Sequence, residues 1–322
     1  MKFSTGLPGL HRYPPAHRPW MDDMTPADFK RVARAADELG FDAIVVPEHI
    51  VLPTALVPAM GARWPHAWTV MAFLAGVTDR IGVNSSVTVL PYHHPVVLAK
   101  AVATLDQLSG GRVILSFGIG HAEGEFAALG VPFHQRGQMA DEYLEAMKVL
   151  WTEPEPEFHG RFLDFRDISF DPKPVQQPHP PIWIGGNSSA ALRRAARHGQ
   201  GWVPWLVTAD ELPARLEELR DEPGFDAKQA SFGIDLPVAP MQVNEVSHLP
   251  LPGSDGHPAG PAGAQQLIDA IGHLEEIGVT WTSVPPPGPP PGSLSEHLDQ
   301  LAWVAEEVLP PFSAARGGAR SG

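Results

Sequence analysis

The chain has 322 residues, 43% of them hydrophobic, with a formal net charge of −14 and no cysteine. That length and apolar content suffice for one large core of the size of an α/β barrel with insertions. The acidic balance argues against a nucleic-acid groove, which needs clustered Lys and Arg, and the lack of cysteine excludes disulfides and thiolate chemistry. No run approaches the roughly 18 apolar residues of a membrane span, and the opening MKFSTGLPGLHRY lacks a signal peptide's apolar stretch. A cytoplasmic protein without a membrane partner is therefore expected.

Residues 3–7 form a short apolar run, suited to a first strand. Thr25-Pro26-Ala27-Asp28 then reads as an N-cap, an N1 proline and an acidic first turn, and Phe29, Val32, Ala33, Ala36 and Leu39 keep helical spacing. Gly40 closes that helix and 42–46 reads as a buried strand. The pattern repeats: helix near 67–78, strand 81–90, helix 95–108, strand 113–117, helix 136–151, strand 182–184, helix 189–198, strand 202–205, helix 210–220, strand 232–243, helix 264–277, strand 279–284 and a last helix near 295–309. Such alternation admits a closed barrel or a doubly wound open sheet. Eight units, and no G-x-G-x-x-G after the first strand, favour a single (β/α)8 TIM barrel over residues 1–312. The remainder, 313–322, has no apolar face to bury and is expected to be a disordered tail.

In such barrels the loops after strands build the site. Segments 47–66 and 244–263 therefore belong to the functional mouth, the latter as a lid or a disordered loop. The Pro-rich 153–181, with its hairpin-like FHGRFLDF, precedes the fifth strand and is read as structural.

Pro47-Glu48-His49 ends the second strand at the mouth, where an imidazole serves as acid or base, or else as a loop histidine bonding only backbone. His93 and His94 are adjacent, so their side chains diverge and do not pair on a metal. His121, Glu123 and Glu125 follow the fourth strand, but no H-E-x-x-H spacing is present, and no metal is expected. Gly185, Gly186, Asn187, Ser188 and Ser189 lead into a helix whose free N–H groups suit a phosphate, the alternative being an ordinary capped turn. Asn84-Ser85-Ser86, small and polar inside a strand, suggests a bulge or contact with a flat ligand. Trp64, Trp68 and Trp205 suggest a hydrophobic pocket at the mouth, although Trp64 and Trp68 suit the barrel–helix layer equally.

Taken together, ARAADELGFDAIVVPEHI, RIGVNSSVTVLPYHHPVVLAKAVATLDQLSGGRVILSFGIG, EFAALGVPFHQRGQMADEYLEAMKVLW, FHGRFLDF and PPIWIGGNSSAALRRAARHGQGW resemble the luciferase-like monooxygenase superfamily, in particular its F420-dependent oxidoreductase branch. The resemblance covers about residues 1–205; 206–322 match only in layout. It implies a barrel holding a deazaflavin or flavin ring over the strand ends, with coenzyme F420 as cofactor and FMN as the alternative. It further implies proton transfer or charge stabilisation by His49, a non-prolyl cis peptide at Ser86-Val87 against the ring, Gly118 and Gly120 near the ring, and phosphate held by Gly185, Gly186, Asn187 and Ser188, with Ser189 assisting. The branch's acid is left unassigned among Glu123 and Glu125. The function expected is hydride transfer between the deazaflavin C5 and a small organic substrate. An FMN-dependent monooxygenase fed by a separate reductase is the alternative, and a non-catalytic cofactor-binding relative the third reading. A homodimer is the assembly considered.

Overall fold

The computed structural model describes residues 1–205, 207–225, 232–235, 261–284 and 290–313. Eight parallel strands carry the barrel: β1 (Lys2–Thr5), β2 (Ala43–Val45), β3 (Gly82–Asn84), β4 (Val113–Gly118), β5 (Ile182–Gly185), β6 (Gly201–Val203), β7 (Gly233–Ile234) and β8 (Trp281–Ser283). They lie side by side in chain order, with β8 returning to pair with β1. The gap between β7 and β8 is bridged by a parallel pairing of Asp235 with Trp281 and by Thr280 N–H donating to the Ile234 carbonyl at 3.0 Å. The expected (β/α)8 TIM barrel is the architecture observed.

Around it run α1 (Pro26–Glu38), α2 (Ala67–Val77), α3 (Pro95–Ser109), α4 (Glu123–Leu129), α5 (Arg136–Thr152), α6 (Ser189–His198), α7 (Leu212–Asp221), α8 (Pro261–Glu276) and α9 (Leu294–Trp303). The α1 start follows from its sequence: Thr25 Oγ1 accepts from the Asp28 amide while the Asp28 carboxylate accepts from the Thr25 amide at 2.9 Å, a reciprocal cap. α6 occupies the expected 189–198.

Three expectations change. The long strand at 81–90 breaks after Asn84; residues 85–87 leave the ladder, and Thr88 and Val89 then pair with Phe117 and Gly118. Helix α4 interrupts what reads in the sequence as a loop after the fourth strand. The last helix passes at Val304–Val308 into a π-helical turn rather than continuing as α. Of the strand expected at 232–243, residues 236–243 lie outside the described residues, as do most of the mouth loop 244–263 and residues 314–322.

Strand alternation sends Phe3, Ile44, Val83, Leu115 and Ile184 outward into the helical layer, where all are essentially inaccessible. Inward, Ala43, Trp183 and Trp281 form the lower plug, with Ile114 and Val203 against them. The Trp183 and Trp281 rings meet edge to face, centroids 4.9 Å apart. Trp183 fits only because β6 and β7 offer glycine there: a Cβ on Gly201 would lie 2.4 Å from the indole, and one on Gly233 2.9 Å. Above the plug the interior turns polar, with Ser4, Asn84 and Ser116 all buried and the Ser116 hydroxyl donating to Asn84 Oδ1 at 2.7 Å.

The segment 153–181 lies before β5, as expected. Phe158–His159 and Asp164–Phe165 form an antiparallel hairpin. Downstream, the fully buried Asp106 carboxylate of α3 accepts from the Val175 and Gln176 amides and from Gln176 Nε2, at 2.7–3.0 Å. Removing that carboxylate strands buried donors, each costing about 1–3 kcal/mol. Asp106→Ala is accordingly expected to lower unfolding free energy by roughly 2–4 kcal/mol, read as a reduced midpoint in urea denaturation with an unchanged slope.

Candidate active site

The site is built on the loops that leave β2 and β4. His49, 9% exposed, directs Nδ1 at Glu125 Oε2, 2.9 Å away. Glu125 lies in the first turn of α4 and is fully buried. Its other oxygen accepts from the Ile50 amide at 2.6 Å and the Val51 amide at 3.1 Å, and Tyr92 Oη donates to Oε2 at 3.0 Å. Burial alone would raise this carboxyl, but the hydrogen bonds from His49, the Ile50 amide and Tyr92 outweigh it and hold the pKa below the ordinary glutamate value. Burial, followed by the Glu125 charge, drives the Tyr92 phenol upward, so it remains a donor. Glu125 thus orients the imidazole and leaves Nε2 as the nitrogen available for chemistry.

Glu48 forms a second carboxylate–imidazole pair, with His93. Both its oxygens lie 3.0 Å from His93 Nε2, and Oε2 also accepts from the Val89 amide at 2.8 Å. Glu48 therefore fastens the loop after β2 to the segment after β3. His94 is the N-cap residue of α3 and makes no side-chain capping bond. Glu123 is exposed and stands apart from the pair.

Trp64 meets His49 edge to face, centroids 4.7 Å apart, and stacks on His11 at 4.9 Å. Two contacts place these rings: the Arg12 amide donates to the Arg63 carbonyl at 3.2 Å, and Gly61 packs so tightly on Arg12 that no Cβ could be fitted. His121 faces His49 from the third side, centroids 6.1 Å apart. Trp68 is 7% exposed and belongs to the core, whereas Trp205 is 49% exposed beside the β5 turn.

The Ser86-Val87 bond is cis. Val87 is seated over β4 and β5: a Cβ on Gly118 would come within 2.8 Å of its side chain, and one on Gly185 within 3.0 Å. Gly120 has φ +73° and leaves room for Val89 and Phe126, while its carbonyl accepts from Arg136 Nε at 3.2 Å. At the end of β5, Gly186 has φ +114°, a conformation that excludes other residues without strain. Trp202 Nε1 donates to the Gly186 carbonyl at 2.7 Å, Asn187 Oδ1 accepts from the Trp205 amide at 2.7 Å, and Arg215 donates to the Asn187 carbonyl. Ser188 Oγ caps α6 through the Ala191 amide, which leaves the earlier amides of that first turn, beginning with Ser189, free. The turn and His49 are separated along the barrel by β3 and β4.

A family model for luciferase-like monooxygenases matches residues 1–245. The chain belongs to the luciferase-like monooxygenase family. An uncharacterised protein of Mycobacterium tuberculosis is 34% identical over 241 residues, covering 70% of this chain and 84% of that one. An FMNH2-dependent dimethylsulfone monooxygenase of Pseudomonas putida is 28% identical over 220 residues, covering 67% of this chain and 59% of that one. Among solved structures, the coenzyme F420-dependent tetrahydromethanopterin reductase of Methanopyrus kandleri superposes with a TM-score of 0.70 at 16% identity, over 97% of this chain and 99% of that one. Proteins similar to this luciferase-like chain therefore include both F420- and FMNH2-dependent enzymes. Among the described residues no helix is long and apolar enough to cross a membrane.

Glu125 makes a testable contribution to stability. Because its folded pKa lies below the unfolded value near 4.5, the contribution is complete above that value and is lost as pH falls through the folded pKa. Urea unfolding of Glu125→Gln against the parent should show a gap of roughly 2–4 kcal/mol at neutral pH. The gap should narrow below about pH 4.

Proposed function

We propose that the chain is an F420-dependent oxidoreductase acting on a small organic substrate, with His49 as the residue that moves or balances the proton. The buried His49–Glu125 pair at the barrel mouth carries this reading. A hydride removed from or delivered to an organic substrate leaves a proton to be taken up or supplied, and an imidazole backed by a carboxylate does that near neutral pH. Bound F420 would supply the hydride chemistry at C5.

The residues present fit a flat ring system with a phosphate attached. Val87, resting on two strand ends that carry no side chain, gives a smooth apolar backing. Asn84 Nδ2 and Thr88 Oγ1 are buried without a protein partner beside it, as expected of groups that hydrogen-bond a polar ring edge. Gly185, Gly186, Asn187, Ser188 and Ser189 would hold the phosphate through backbone N–H groups and the positive end of α6. Gly118 and Gly120 shape the wall between these places. His49 Nε2 exchanges the proton at the substrate's reacting oxygen, and Glu125 acts as a positioning residue that stabilises the imidazolium.

The 28% identity to an FMNH2-dependent monooxygenase favours a second reading, an FMN-dependent monooxygenase supplied by a separate flavin reductase on the same barrel. Fluorescence titration with F420 and with FMN, followed by anaerobic turnover with F420 and oxygen consumption with FMNH2, separates the two. Tight F420 binding with anaerobic turnover is expected; selective FMN binding with oxygen uptake overturns the proposal. In the same assays His49→Ala should leave cofactor Kd within about twofold while kcat falls about 10²–10⁴-fold, since the imidazole lies away from the phosphate turn. Wild-type kcat in that variant would point instead to a protein that holds its cofactor without using His49.

A further inference from the structure

Three imidazoles converge on the mouth from three different loops, and only one of them has a carboxylate partner. His49 is tied to Glu125. His11, from the loop after β1, stacks on Trp64, and its Nδ1 is buried with no hydrogen-bond partner. His121, from the loop after β4, presents an exposed ring at right angles to His49. No group of three His, Asp or Glu among the described residues is arranged to hold a metal ion, so the cluster is not a metal site.

We propose that His11 and His121, with Trp64, form the substrate-recognition face of this site and select a flat organic molecule carrying an anionic oxygen, a carboxylate or an ionised enol or phenol. The proposal rests on the functional reading above for its placement beside a cofactor. The geometry sets two donor rings and an indole around His49, and neither His11 nor His121 forms an ion pair among the described residues. The charged and titratable groups facing them are committed elsewhere: Glu125 to His49, Tyr92 and two amides; Glu48 to His93; Arg12 to Asp22; and Arg136 to the Gly120 and Phe133 carbonyls. Desolvation, and then the charge of His49, lowers the pKa of both His11 and His121; at His121 the Glu125 charge opposes this without reversing it. An arriving oxyanion adds a negative charge that favours the protonated form of these rings, so its binding is expected to draw protons onto them.

The test uses benzoate as the anionic probe and benzamide as its neutral isostere, by calorimetry on the full chain with and without cofactor. Benzoate should bind more tightly than benzamide, and its affinity should fall at least about tenfold between about pH 5.5 and pH 8, while that of benzamide stays flat. Imidazole Cε1–H resonances of His11 and His121, assigned from the variants, should titrate at higher pH with benzoate present. His11→Gln and His121→Gln keep an amide donor but cannot be protonated; each should flatten the pH profile while cofactor binding stays as in the parent. Because His121 is exposed, its variant reports even where the His11 variant fails to fold. Equal binding of the two probes, binding of neither, or an unchanged benzoate profile in His121→Gln overturns the proposal. Loss of F420 binding by the parent chain with the benzoate profile intact would overturn the cofactor assignment alone.

Discussion

A carboxylate sealed inside a protein is tolerated only when donors surround it, and the Glu125 side chain has four: the His49 imidazole, the Tyr92 hydroxyl and the Ile50 and Val51 amides. Each donor belongs to the segment that follows β2 or to the one that follows β3, whereas the acceptor belongs to α4. The charge therefore fixes where those segments meet. Glu48 repeats the arrangement, joining the loop after β2 to Val89 and His93. The direction of the His49 ring is set by where a buried charge finds its hydrogen bonds, with Trp64 and His121 packed against it.

The same device recurs far from the mouth. Asp37 accepts from the Asp79, Arg80 and Ile81 amides, and Glu142 from the Arg161, Phe162 and Leu163 amides. In both, a carboxylate on a helix accepts from consecutive amides of a connection, and the connection's own apolar residues, Ile81 in one and Phe162 and Leu163 in the other, pack on the core beside it.

The helices around the barrel were legible because their apolar periodicity and caps agree: Thr25, Pro26 and Asp28 announce α1, and the run from 189 to 198 is the helix found. The places of His49 and the glycine turn at the ends of β2 and β5 were legible because each follows directly on a strand's apolar run. Glu125 was not. The spacing HAEGE reads as a polar loop, and nothing local shows that its second acid turns inward while Glu123 faces water. The signal that identifies it is the short helix itself, with Phe126 buried and Gly130 in the left-handed conformation closing it after Leu129. Tyr92, His11 and the seat of Val87 over Gly118 and Gly185 depend on contacts between distant segments, which no sequence period encodes. The break in the strand after Asn84 was foreshadowed by its small polar residues, but its exact limits depend on Thr88 and Val89 re-pairing with β4.

The tryptophan plug sets what the bottom of the barrel tolerates. Trp183 fills the space that Gly201 and Gly233 leave, and Trp281 is braced against it edge to face. A methyl group on either glycine would meet the indole at less than van der Waals distance. The closed end of the cylinder is thus held by two positions that have no side chain, and the largest residue in the interior depends on the smallest ones beside it.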